Sequence, residues 1–153
     1  MHKTIERSAL VRHSAGRMFA LVNDVAAYPE FLPWCSAAQV HESGPEQLLA
    51  SLEVSKGMVK QRFTTRNQLQ EPGRIAMELV DGPFTQLSGE WLFQSLNDEA
   101  CKVVLVLQFS LQGRVTRAAF GNVFSQAANT MVDAFCRRAD VVYGKGVIGT
   151  GLR

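Results

Sequence analysis

Cysteine is scarce in this chain, and its spacing excludes two kinds of structure. Cys35, Cys101 and Cys136 are odd in number, lie far apart and form no CxxC pair. A disulfide framework needs paired cysteines, and a cysteine-based metal site needs closely spaced ligands. We therefore expect three reduced thiols, no metal centre and no required cofactor.

Long hydrophobic runs are also absent. No apolar stretch approaches the roughly 20 residues that span a bilayer, and the charged residues 1–13 contain no signal-peptide core. These absences predict a cytoplasmic protein that is not integral to a membrane. A transient, peripheral contact with the surface of the inner membrane remains compatible with them.

The excess of positive charge is small. A formal net charge of +2 does not by itself predict a nucleic-acid partner, and we expect no DNA binding. Basic residues are nevertheless concentrated at residues 137–138 and in one stretch that contains Lys56, Lys60, Arg62 and Arg66. Such clusters are usually solvated faces, but they can also form a basic patch.

The motifs of common enzyme classes are missing. The chain has no glycine-rich phosphate loop, HExxH or GxSxG. Cys35 and His41 would share one face of an extended strand at about 20 Å, too far apart for a thiolate–imidazole pair. Asp24 and Glu30 are either an acid–base pair of a cyclase or, as is usual beside a short helix, caps and surface charges. We expect no enzymatic activity.

The longest regular pattern lies in residues 114–142. At 100° per residue it predicts an amphipathic helix of about 40 Å, whose apolar arc needs a broad sheet to cover it. Ala127, Ala128 and Ala139 fall in this arc, so the helix either packs closely on the sheet or leaves a cavity. Arg117 and Arg138 lie near the two ends of the arc, where they either extend to water or serve as polar anchors at a pocket mouth.

Short alternating segments precede the helix. Residues 17–25 and 26–32 predict two short helical segments, with an N-cap at His13–Ser14. Strands are predicted at residues 4–12, 34–42, 47–55, 60–70, 74–80, 87–93 and 101–111. The fold class is therefore α+β, a curved antiparallel sheet of about seven strands around a long C-terminal helix, with two short helices after strand 1. Residues 1–144 form one domain, and the glycine-rich residues 145–153 are expected to be a flexible tail.

Three motifs then point to a family. YPEFLPWC (residues 28–35), DGPF (81–84) and LSGEWLF (87–93) follow one another in the order that resembles the coenzyme-Q-binding branch of the START-like, polyketide-cyclase-type family. The same bacterial branch includes ribosome-association toxins. The resemblance covers about residues 3–143, and it implies a helix-grip fold with an apolar cavity between the sheet and the C-terminal helix.

The resemblance also implies a function. It favours non-catalytic binding of ubiquinone or another polyprenyl lipid, carried as a ligand in support of respiration. The alternative is a toxin of a toxin–antitoxin pair that binds the large ribosomal subunit and blocks subunit joining, with residues 56–66 as its first candidate surface. Arg117 and Arg138 are the possible polar anchors for the lipid. The predicted ligand-binding residues, each of which is alternatively a plain core residue, are Tyr28, Phe31, Trp34, Phe84, Leu87, Trp91, Phe93, Phe120, Phe124, Met131 and Phe135.

Overall fold

The computed structural model describes residues 2–145, apart from the side chains of residues 115–118. Of the predicted tail at residues 145–153, residues 146–153 lie outside the described residues. The strands are β1 (His2–Val11), β2 (Cys35–Ser43), β3 (Gln47–Lys56), β4 (Val59–Gln70), β5 (Arg74–Asp81), β6 (Phe84–Asn97) and β7 (Ala100–Leu111). The helices are α1 (Ala15–Asn23), a 3₁₀ helix (Val25–Glu30) and α2 (Arg114–Tyr143).

The seven strands form one antiparallel sheet with the order β1-β7-β6-β5-β4-β3-β2. Strands β2 to β7 form a meander in which each strand pairs with the next. The last strand, β7, also pairs with β1, so that Ile5 lies opposite Leu107. This architecture confirms the predicted α+β class and helix-grip arrangement. One strand is much longer than predicted, because the pairing of β6 with β7 begins at Phe84 and continues to Asn97 through two register shifts.

Alternation along the strands explains which side of the sheet α2 covers. In β7, every second side chain from Cys101 to Leu111 is buried, and Lys102 between them is exposed. The helix packs against that apolar face through Phe120, Phe124 and Phe135. The concave face of the sheet and the inner arc of α2 therefore form the core.

The connection between β1 and the 3₁₀ helix follows its local sequence. The Ser14 side chain accepts a hydrogen bond from the Arg17 backbone nitrogen at 3.1 Å, which caps α1 as predicted. α1 ends at Asn23, and the 3₁₀ helix then carries Tyr28 into the core.

Two glycines of the sequence motifs lie where neighbouring atoms leave no room for a Cβ atom. A Cβ atom at Gly89 would lie 2.5 Å from the Val106 carbonyl oxygen. At Gly82 the backbone has φ +149, and a Cβ atom would lie 2.6 Å from Cβ of Phe63. Both glycines therefore allow neighbouring strands and side chains to pack where any larger residue would clash.

No helix in the range 2–145 combines the length and the apolar character needed to cross a bilayer. Within the same range, His, Cys, Asp and Glu side chains form no group suited to holding a metal ion.

Candidate ligand cavity and cationic helix face

An apolar cavity lies between the concave face of the sheet and α2. Side chains from β3 to β7, the 3₁₀ helix and α2 form its wall, and the space that a water molecule can enter is about 70 Å³. Ala127 and Ala128 are on the wall, so at these two positions the small side chains leave space instead of closing the helix onto the sheet. The space holds several water molecules but is below the roughly 300–1,000 Å³ of typical ligand pockets.

The predicted ligand-binding residues divide into two groups in the structure. The cavity wall includes Tyr28, Trp34, Leu87, Trp91, Phe124 and Met131. The remaining residues are buried or half-buried behind the wall, namely Phe31, Phe84, Phe93, Phe120 and Phe135. A role of either group in ligand binding stays a prediction.

The residues behind the wall form two aromatic clusters. The Phe84 ring centroid lies 5.0 Å from that of Phe124 and 5.5 Å from that of Phe63, and both ring pairs meet edge to face. In the second cluster, the Phe135 ring meets Phe31 at 5.2 Å and Trp91 at 5.3 Å. Edge-to-face pairs at these distances stabilise a packed core beyond the burial of their area.

The structure does not place Arg138 at a pocket mouth. Its Nη2 donates to Glu30 Oε1 at 2.9 Å, and its guanidinium carbon lies 4.9 Å from the centroid of the Phe31 ring. These contacts attach α2 to the 3₁₀ helix, and Arg138 is not on the cavity wall; its role as a polar anchor stays a prediction. Arg117 belongs to α2, but its side chain lies outside the described part of the structure.

A polar pair on the cavity wall was not identified from the sequence. Thr65 Oγ1 donates to Asn67 Oδ1 at 3.0 Å, and both residues are on β4 with their side chains on the cavity side. Asn67 is only 7% exposed. The available signal was the alternation of β4 itself, which puts Thr65 and Asn67 on the same inward parity as the apolar Phe63 and Leu69.

A groove on the surface shares Trp34 and Ala127 with the cavity wall. Pro33 and Trp34 form one side, and Val123, Gln126 and Thr130 of α2 form the other. Lys56 Nζ donates to Gln126 Oε1 at 2.9 Å across the groove. Trp34 lines both the groove and the cavity, and its Nε1 is buried without a hydrogen-bond partner.

Basic side chains from two strands, β1 and β3, form hydrogen bonds with α2. Lys3 Nζ donates to Ser125 Oγ at 3.2 Å, Arg7 Nε donates to Asn129 Oδ1 at 3.0 Å, and Lys56 bonds to Gln126 as above. Because these acceptors are neutral, the three positive charges are not cancelled, and none of them forms an ion pair with another described residue.

The helix itself adds to this positive surface. Its first acidic residue is Asp133, and its first turn begins at the exposed Arg114, at the positive end of the helix dipole. We call the surface formed by Lys3, Arg7, Lys56 and Arg114 the cationic helix face.

The basic stretch identified in the sequence does not form one patch. Lys56 contacts α2, whereas Arg62 and Arg66 are on the opposite, convex face of the sheet. There Arg62 donates to Gln39 at 2.8 Å, and Arg66 lies 3.8 Å from Glu42. The alternation of β3 and β4 separates residues that are close in sequence.

The three cysteine thiols are weakly acidic. Burial raises the pKa of each cysteine, Cys35, Cys101 and Cys136, to about 11, so the thiols stay protonated at neutral pH. Burial also raises the pKa of Tyr28, whose hydroxyl donates to the Val22 carbonyl oxygen.

Cys35 and His41 do not share a face of β2, contrary to the prediction. Cys35 is buried opposite Val54, whereas His41 bonds to Ser51 on the convex side, because the register shift between Cys35 and Ala37 changes which parity of β2 faces the core.

Comparison with known proteins identifies relatives of this chain. A family model described as polyketide cyclase / dehydrase and lipid transport matches residues 11–136. Ribosome association toxin RatA of Pseudomonas aeruginosa is 53% identical over 144 residues, which are 94% of this chain and 100% of that protein. The mitochondrial coenzyme Q-binding protein COQ10 of Drosophila melanogaster is 28% identical over 146 residues, covering 90% of this chain and 60% of that protein.

A solved structure shows the same fold. The Zhui aromatase/cyclase from Streptomyces sp. R1128 aligns with a TM-score of 0.80 at 19% identity, over 92% of this chain and 94% of that one. At this identity the likeness concerns the fold and carries no statement about chemistry.

Proposed function

This chain belongs to the polyketide cyclase/dehydrase and lipid transport family of START-like proteins, and from that premise we propose that it associates with ribosomes. The observation that carries the proposal is the 53% identity to a protein named for ribosome association, over 94% of this chain and the full length of that relative. The proposed target is the large subunit, and the proposed effect is to block subunit joining.

The ranking of the two functions changes with this comparison. The sequence motifs favoured a ubiquinone carrier, with ribosome association as the alternative. The relative named for coenzyme Q binding is 28% identical, whereas the relative named for ribosome association is 53% identical. Ribosome association is therefore the main proposal, and lipid binding is the second.

The cationic helix face gives the proposal a surface. Ribosomal RNA presents a dense array of phosphates, and Lys and Arg side chains bind phosphates with the release of counterions. Lys3, Arg7 and Lys56 are bonded to neutral side chains of α2, which hold them in place without cancelling their charge. The face therefore fits an anionic partner better than the convex face, where Arg66 and Arg74 lie close to Glu42 and Glu90.

Pelleting with isolated ribosomal subunits tests the proposal. We expect the protein to pellet with large subunits and not with small subunits, and to reduce the formation of joined ribosomes. Because four cations of the face would each contact about one phosphate, the logarithm of the binding constant should fall with the logarithm of salt concentration with a slope of about −3. Absence of pelleting at about 50 mM salt, or equal pelleting with both subunits, would overturn the proposal.

A hydrophobic ligand is the second candidate function, and the cavity is the observation that favours it. Its wall is apolar apart from a few groups, and each CH₂ buried there would contribute about 0.8 kcal/mol. At about 70 Å³ the cavity is too small for a polyprenyl chain, so α2 would have to move away from Trp34. Opening the groove in this way breaks the hydrogen bond from Lys56 to Gln126.

Native mass spectrometry with organic extraction tests this second function. We expect the protein purified from its own cells to carry a stoichiometric neutral lipid such as a polyprenyl quinone. An empty protein that also fails to take up added short-chain quinone contradicts lipid binding and leaves the ribosome proposal unchanged.

A further inference from the structure

A buried amide on the cavity wall has an unused hydrogen-bonding capacity. Asn67 is 7% exposed, and its Oδ1 accepts from Thr65 Oγ1. Among the described residues, the structure shows no acceptor for the two N–H groups of Asn67 Nδ2. That nitrogen is also not among the fully enclosed atoms without a partner, so it retains contact with open space, and Asn67 lines the cavity.

The two N–H groups of the amide need an acceptor, which water or a ligand in the cavity would supply. A leucine at this position would need none. Thr65 also holds the side chain, because its hydroxyl donates to Oδ1 and so leaves Nδ2 as the end of the amide without a partner. The amide is therefore oriented as a donor toward the cavity.

The rest of the wall defines the ligand further. The described part of the wall contains no Lys, Arg, His, Asp or Glu side chain, so a charged group there would have no partner. The Tyr28 hydroxyl already donates to Val22, which leaves Trp34 Nε1, near the groove, as a second donor without a partner.

We propose that Asn67, held by Thr65, is the hydrogen-bond donor that anchors the polar end of a neutral amphiphile with an acceptor oxygen such as a carbonyl. The inference rests on the second proposed function and specifies its ligand class. The apolar part of the ligand lies along Leu52, Leu87 and Leu105. A neutral head is preferred to a carboxylate because the described side chains of the wall offer a carboxylate no cation.

Two matched probes test the anchor. Valerophenone and pentylbenzene share a skeleton and differ by a carbonyl in place of a CH₂ group, so the ratio of their affinities isolates the contribution of the oxygen. The affinities are measured by titration of tryptophan fluorescence, since Trp34 and Trp91 lie on the wall. We expect Asn67→Leu to lower the preference for the ketone about tenfold relative to the wild type, while pentylbenzene still binds.

Control variants separate anchoring from a change in fold. Leu69 is buried on the same strand and the same inward parity as Asn67 but is not on the cavity wall, so Leu69→Met should leave the probe ratio unchanged. Thr65→Val should lower the ratio by a smaller factor than Asn67→Leu, because the donor remains but loses its orientation.

The outcomes distinguish the anchor from the carrier function. An unchanged ratio in Asn67→Leu, with both probes bound, overturns the anchor and leaves lipid binding intact. Binding of 5-phenylpentanoate as tight as that of valerophenone overturns the choice of a neutral head. Failure of the wild type to bind any probe overturns lipid binding, and the anchor with it.

Discussion

Replacing Lys3, Arg7 and Lys56 together by glutamine should weaken association with the large ribosomal subunit about 100-fold. Each cation near an anionic surface contributes roughly 1 kcal/mol, so three contribute about 3 kcal/mol. The magnitude of the salt slope should fall from about 3 to about 1 in the same variant, because three of the four phosphate contacts are lost. Quantitative pelleting across a salt series measures both effects.

The matched control changes the same net charge on the other side of the sheet. Arg62, Arg66 and Lys102 are on the convex face, and their replacement by glutamine also removes three positive charges. We expect this control to bind within about twofold of the wild type, since surface charges far from the contact are screened by salt. A large loss in the control and a small loss in the first variant would contradict the cationic helix face and favour the stretch that contains Arg62 and Arg66.

Phe84→Ala should destabilise the fold by about 3–5 kcal/mol, within a total that is typically about 5–15 kcal/mol for a domain. Phe84 is 2% exposed, and its ring meets those of Phe63, Phe120 and Phe124. Removing the ring loses these contacts and leaves a hole that the two flanking strands and α2 cannot close. Urea unfolding of the variant, compared with the wild type, measures the effect.

A mobile gate at Phe84 would behave differently. Truncating such a gate to alanine would lower the free energy of unfolding by less than about 1 kcal/mol and would speed the exchange of a bound probe. Leu96→Ala is the control, because Leu96 lies in the same strand but is 58% exposed, and its truncation should change stability by less than about 0.5 kcal/mol. A small loss for Phe84→Ala together with faster exchange would contradict a fixed core role.

The fold could be predicted because its signals are local. Alternation in β7 and the 3.6-residue period of α2 each depend on residues near in sequence. Both patterns are satisfied when the apolar face of the strand packs against the apolar face of the helix. The length of β6 was underestimated because Phe84 follows the turn signal at residues 81–83, while its pairing with Leu111 depends on a distant strand.

The candidate site was harder to predict. Alternation along a strand indicates which face of the sheet a side chain is on, but not whether that side chain reaches the cavity. Trp91 and Phe93 point to the same side of β6, but only Trp91 reaches the cavity wall. Asn67 was passed over because an isolated polar residue on an inward parity gives no sign of what surrounds it. Its proposed role depends on its hydrogen bond with Thr65 and on the apolar cavity wall, to which five strands contribute side chains.

The cationic helix face could not be derived from spacing in the sequence. Lys3, Arg7 and Lys56 come from two strands on either side of α2, and they are brought together only when the helix packs. The contacts of Arg138 also depend on a segment distant in sequence. Its place at the end of the apolar arc follows from the helical period, but its contacts with Glu30 and Phe31 are visible only in the structure.

Differential acetylation of lysines, with and without large ribosomal subunits, tests the central claim most directly. Lys3 and Lys56 are on the cationic helix face, and Lys102 is exposed on the convex face. We predict that bound large subunits slow the acetylation of Lys3 and Lys56 several-fold and leave Lys102 unchanged. Protection of Lys102 alone, or no protection of Lys3 and Lys56 under conditions in which the protein pellets with the subunit, would contradict association through this face.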